Sequence, residues 1–143
     1  MKIPDIFQHD ENYRSIMQRL FEASMEESFN AIMITEAVPG YPIVYVNPAF
    51  TEMTGYNPED ILGKSPSILQ GSDTDAAVLK RLREDLSEGR PFHGRAVNYR
   101  QDGSTFMMEW KIAPIRDDSG GVSHFLAIQR DVGDRWSGAS GVE

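Results

Sequence analysis

The chain has 143 residues, 40% hydrophobic and 25% charged, which suits one globular domain with its own core. A net charge of −8 and a pI of about 4.8 argue against nucleic acid or an anionic membrane as partner. The absence of cysteine excludes disulfides, thiolate metal sites and any thiol nucleophile and fits a cytoplasmic protein, and neither a signal peptide nor a run of the ~20 apolar residues that cross a bilayer is present.

Residues 1–28 read as an N-terminal helical cap. After a loose start, Asp10 can cap a helix in which Tyr13, Ile16, Met17, Leu20 and Phe21 form one stripe. Ser24 to Ser28 reads as a connector, with continuation of the helix as the alternative. Strands begin after Phe29: Ala31 to Thr35 and Ile43 to Val46 flank Val38-Pro39-Gly40-Tyr41-Pro42, a hairpin signal. Asn47-Pro48 then opens a helical turn that ends at Gly55.

The most heavily punctuated stretch follows, GYNPEDILGKSPSILQGSDTD from Gly55 to Asp75. Pro58 suits the first position of a short helix carrying Glu59 and Asp60 at its positive end. Ile61 and Leu62 are expected to plug inward, Lys64 to Ser67 to run extended, and Ser72 to Thr74 to cap the next helix. Short helices joined by glycines around a few inward side chains suit one wall of a small cavity. The helix expected over Asp73 to Glu88 turns Ala76, Leu79, Leu82, Arg83 and Leu86 inward.

The last third reads as three strands, Gly94 to Tyr99, Thr105 to Ile115 and Val122 to Val132, joined by turns at Asp102-Gly103 and Gly120-Gly121. Period-two alternation puts Phe106, Met108, Trp110 and Ile112 on one face, with Asn98, Ala127 and Gln129 on the same side. The opposite face carries Val97, Tyr99, Met107, Leu126 and Ile128 and needs a cover, for which the N-terminal stripe and a second subunit are the candidates. Residues 134–143 read as a flexible tail.

Three blocks, IVYVNPAFTEMTGYNPEDILGKSPSILQG, NYRQDGSTF and FLAIQRDV, give residues 29–133 a clear likeness: the chain resembles a PAS domain, and within that superfamily the LOV flavin sensors. The resemblance implies an α+β PAS fold, a five-stranded antiparallel sheet with short helices on one face and the N-terminal amphipathic helix outside it. It implies a flavin, FMN or FAD, and six cofactor-binding positions, of which Gln70, Arg83, Asn98 and Gln129 keep a matching residue and Pro66 and Met108 do not. Gln70 matches a residue on the ribityl chain, Arg83 a phosphate-binding arginine, and Asn98 an asparagine on the ring edge. Gln129 matches the glutamine near the reactive ring nitrogen. Three positions depart from the pattern: Pro66 stands where the photoactive cysteine belongs, Ser67 where the first phosphate-binding arginine does, and Met108 where a second ring-reading asparagine does.

Each of these residues also has a plain alternative. Asn98 precedes a turn and can serve it, Arg83 can reach a surface carboxylate, Gln70 can brace its loop, and Met108 and Trp110 can be core packing. An inward Gln129 beside small Ala127 is a buried polar group that needs a partner. The functional expectation is a non-enzymatic, cytoplasmic sensory module of a larger signalling protein whose effector lies outside this chain, homodimeric through the outer sheet face and N-terminal helix. Without a thiol, light cannot form a cysteinyl adduct, which leaves electron transfer from Trp110 or a tyrosine. The competing reading is a cofactor-free PAS dimerisation module. His9, His93 and His124 are too scattered for a triad, a metal site or haem ligation.

Overall fold

Strand alternation and tight turns build the frame. The computed structural model describes residues 13–133, so the cap at Asp10 and the tail from Asp134 lie outside the described residues. Helix α1 (Tyr13–Glu27) is followed by β1 (Ala31–Glu36), β2 (Ile43–Val46), α2 (Pro48–Thr54) and α3 (Pro58–Ile61). A 3-10 turn (Pro66–Leu69), α4 (Ala76–Ser87), β3 (Phe92–Tyr99), β4 (Thr105–Arg116) and β5 (Val122–Asp131) complete the order. The five strands form one sheet in the order β2-β1-β5-β4-β3, with every neighbouring pair antiparallel.

The expected parity holds. Phe106, Met108, Trp110 and Ile112 are all buried, and the β3–β4 register sets Ala96 and Asn98 opposite Met108 and Phe106. Across β5, Gln129 lies between Trp110 and Ala31, and Ala127 between Ile112 and Met33. These columns form the inner face, which α2, the 3-10 turn and α4 cover. The hairpin glycines Gly103 and Gly120 have φ of 89° and 90°, a conformation that costs glycine little.

Asn47 fixes the corner between β2 and α2. Its Oδ1 accepts from the Ile32 N–H at 2.8 Å and the Phe50 N–H at 3.1 Å, while its Nδ2 donates to the Met25 and Asn30 carbonyls. One amide thus caps α2, bonds to β1 and ties down the end of α1. Phe50 and Ile61, both 0% exposed, pack beside it, and burying a side chain of that kind contributes about 1.5–3 kcal/mol.

Several local expectations are corrected. The helix continues through Ser24 to Glu27, and Ser24 Oγ donates to the Leu20 carbonyl within it. α1 buries none of its residues and meets the sheet's edge, through Phe21 on Tyr45 and the Asn47 bond to Met25. It therefore meets the outer sheet face at β2, where Tyr45 lies, and leaves Ile128 of β5 41% exposed. Leu62 points outward, because the α3 turn ends there in an extended conformation. Ser65 is extended, as its following proline requires, but Pro66 starts the 3-10 turn, with Ser65 Oγ accepting from the Ser67 N–H. α4 is capped by Asp75, while Thr74 donates to the Val97 carbonyl and anchors the loop to β3. On α4, Ala76 and Arg83 are exposed, and Val78 joins Leu82 and Leu86 against the core.

Candidate functional site

Between the inner sheet face and the helical layer lies a cavity of about 330 Å³, within the range of small-molecule sites. All six candidate site residues, Pro66, Gln70, Arg83, Asn98, Met108 and Gln129, line it. They arrive from five elements. Pro66 comes from the 3-10 turn and Gln70 from its end; Arg83 comes from α4, and Asn98, Met108 and Gln129 from β3, β4 and β5. Strand parity aims the last three inward, and the glycine and proline punctuation folds the loop across them.

Gln70 is placed by an unusually tight contact one residue on. A Cβ on Gly71 would lie 2.5 Å from the Tyr99 ring, so only glycine lets the ring lie against the loop. Tyr99 in turn accepts from the Asp73 N–H at 2.9 Å. The loop bearing Pro66 and Gln70 is thereby clamped to the end of β3.

Most of the wall is apolar, with Met33, Leu69, Leu82, Met108, Trp110 and Ile112 among its members. Two buried amides break it. Asn98 is 3% exposed, and its one side-chain hydrogen bond among the described residues runs at 3.3 Å to the Ala96 carbonyl of its own strand. It takes no part in the Arg100–Ser104 turn, so the turn-serving alternative is not what the structure shows. Gln129 is 2% exposed, and its Oε1 is buried without a partner among the described residues. An unsatisfied buried acceptor costs about 1–3 kcal/mol, and such groups in folded proteins call for an explanation.

Arg83 sits at the rim, exposed, and forms no ion pair with a described residue. The surface-carboxylate alternative for it is therefore not realised. Ser65 and Ser67 lie on the same rim. Sequence reasoning missed Thr35 and Tyr41 as wall residues. The alternation Ala31, Met33, Thr35 along β1 could have found the first. Tyr41 carries no such signal, because its backbone φ of 48° is invisible in the sequence.

The residues present fit a flat ligand that is apolar over its faces and hydrogen-bonds along one edge. The amide of Gln129 can offer either its oxygen or, turned over, its NH2 to that edge. Arg83 can offer one positive charge to an anionic group at the rim. Among the described residues no group of three or more His, Asp or Glu side chains could hold a metal ion.

The outer face has a different polar centre. Glu109 is 9% exposed, and its Oε1 accepts from Arg130 Nε at 3.0 Å and Nη2 at 2.6 Å. Its Oε2 lies 2.7 Å from His93 Nε2 and 3.5 Å from Arg95 Nε. The Arg130 hydrogen bonds, then His93, then the charges of Arg130 and Arg95 hold the Glu109 carboxyl down at about 2, against an ordinary 4.5.

The family model described as PAS domain matches residues 29–134. Phototropin-2 of Oryza sativa subsp. japonica is 38% identical over 128 residues, which cover 87% of this chain and 14% of that protein. A solved structure in which a flavin analogue sheds light on the mechanism of the light-oxygen-voltage (LOV) domain is 32% identical, with a TM-score of 0.74. The match covers 87% of this chain and 90% of that one. The LOV domain of a blue-light activated histidine kinase from Erythrobacter litoralis is 30% identical at a TM-score of 0.70, over 73% of this chain and 97% of that one. The chain spans 14%, 18% and 22% of the lengths of three curated relatives it matches.

Proposed function

Because this chain belongs to the PAS domain family and, within it, to the LOV domains, we propose that its cavity holds a flavin, FMN or FAD, whose state is felt through Gln129. The observation that carries the reading is the buried, partnerless Oε1 of Gln129 at the cavity wall. A bound flavin supplies a ring that absorbs blue light and exchanges electrons. Asn98 and Gln129 orient its polar edge, Met33, Leu69 and Met108 exclude water from its faces, and Arg83 meets a phosphate at the rim. Trp110 and Tyr41 are the oxidisable side chains on the wall. With no cysteine in the chain, adduct photochemistry is closed to it.

Gln129 also sits in β5, one residue from Arg130 and paired with Trp110 and Ala31. A turn of its amide changes the strand at the centre of the sheet, and Arg130 carries that change to Glu109 on the outer face. This is a two-state element that a ligand can bias, as sensing requires.

The unit we assign to sensing is residues 29–133, with 1–28 as a helical cap and 134–143 as a tail. It acts without enzymatic chemistry of its own, in the cytoplasm, as part of a larger signalling protein. A second copy meets it through the outer sheet face and α1, where Ile128, Leu20 and Phe21 are 41%, 45% and 47% exposed. No helix among the described residues is long and apolar enough to cross a membrane.

The test is the absorption spectrum of the protein purified from cells, with chromatography of any released chromophore. Blue absorbance and release of FMN or FAD is the expected result. A colourless protein whose thermal midpoint does not rise with riboflavin, FMN or FAD overturns the reading.

A further inference from the structure

Tyr41 is the one non-glycine residue among those described with a positive φ, 48°. An aromatic residue in the left-handed region is strained. The turn does not need it for reversal, since its neighbour Gly40, φ 86°, already supplies a positive φ with open space around it. Strain of this kind persists where a side chain has to be held in one place.

That place is the end of the cavity. Tyr41, Leu86 and Phe125 line both the interior cavity and a shallow cleft outside it, beside Gly89 and Arg116, so their side chains are the partition between the two. Phe125 is fixed in β5, opposite Thr35 and Pro114, and Leu86 belongs to α4. Tyr41 alone stands on a turn. Its ring meets Phe125 edge-on at 5.9 Å and 71°, a favourable aromatic geometry. Its hydroxyl makes no hydrogen bond with a described residue, and its N–H bonds within the turn to the Val38 carbonyl. The ring can therefore leave Phe125 without breaking a strand.

We propose that Tyr41 is the door of the cavity: its ring shuts one end, the left-handed backbone presses it there, and it sets how long a ligand stays. That this ligand is a flavin rests on the preceding reading; that the ring shuts the cavity does not.

The experiment therefore has two arms, run on Tyr41→Phe, Tyr41→Ala and Tyr41→Gly. In the ligand-free protein carrying Trp136→Phe, Trp110 is the remaining tryptophan and its position on the cavity wall makes it the reporter. Acrylamide quenching of Trp110 is expected to rise about twofold in the Ala and Gly variants and to stay unchanged in Tyr41→Phe. Tyr41→Gly should also melt above Tyr41→Ala, reversing the usual order, because only glycine relieves the left-handed strain. In the second arm riboflavin dissociates about tenfold faster from both ring-free variants, although they differ in stability. Unchanged quenching on loss of the ring, or an Ala variant more stable than Gly, overturns the door. If neither the parent nor any variant binds riboflavin, FMN or FAD, the flavin reading fails, and the first arm still decides the door.

Discussion

Two side-chain amides in this protein are equally buried and oppositely treated. Asn47 is 1% exposed and makes four hydrogen bonds to backbone groups of three neighbouring segments. Gln129 is 2% exposed, and its oxygen has no partner. Asn47 is finished by the chain itself and holds a corner of the fold. Gln129 is left open at the wall of a hollow, and on our proposal a ligand supplies its missing bond. The Glu109 cluster behind it belongs with Asn47: a carboxylate of low exposure whose two oxygens are both taken by side chains of adjacent strands. Among the described residues, the buried side-chain polar atom left without a partner thus lies on the cavity side of the sheet.

The comparison breaks most easily at Asn47. Asn47→Ala strands the N–H of Ile32, worth about 1–3 kcal/mol when left unsatisfied, and removes the bonds to the Met25 and Asn30 carbonyls, while the Phe50 N–H keeps the Asn47 backbone carbonyl as acceptor. A loss on the order of 3 kcal/mol in urea unfolding is expected, and a loss below about 1 kcal/mol would mean that the corner is held by something else.

The next effect concerns the hollow. Riboflavin at a hundred times its dissociation constant should stabilise the protein by about 2.7 kcal/mol. Ala127→Phe fills the cavity wall and should abolish that gain while leaving a folded protein, as calorimetry with and without ligand will show.

Acid titration sharpens the outer-face half. The folded-state value for Glu109, about 2, lies below its ordinary 4.5, so its stabilisation is fully present above pH 4.5. It is lost as the pH falls from there through about 2. Glu109→Gln should flatten the stability profile over that window. Added salt should shrink the difference, because the side chains of Arg130 and Arg95 are 61% and 42% exposed.

Much of the frame was legible because it is local. Alternation in Thr105 to Ile115 gave the inner face, and Asp-Gly and Gly-Gly gave the hairpins. Asn47-Pro48 and Asn57-Pro58 gave the helix starts. Asn98 and Gln129 could be aimed inward from parity alone. What stayed hidden depends on contacts between distant segments. Leu62 looks like a core residue until the extended C-cap turns it outward. The α1 stripe looks like a lid for the sheet until Asn47 ties its end to the β2–α2 corner. Glu109, His93, Arg95 and Arg130 look like ordinary exposed charges because they are far apart in sequence and meet only through strand register. The departures at Pro66, Ser67 and Met108 were plain in the sequence, whereas the cavity that Asn98 and Gln129 both line was not.

The smallest expected effect is the most direct test of the claim that Gln129 awaits an occupant. Gln129→Leu removes a buried acceptor that nothing satisfies, so in ligand-free protein it should raise stability by about 1 kcal/mol. The same substitution should weaken or abolish the stabilisation that riboflavin confers on the parent. A ligand-free variant less stable than the parent, or one that gains as much from riboflavin as the parent does, would contradict the account.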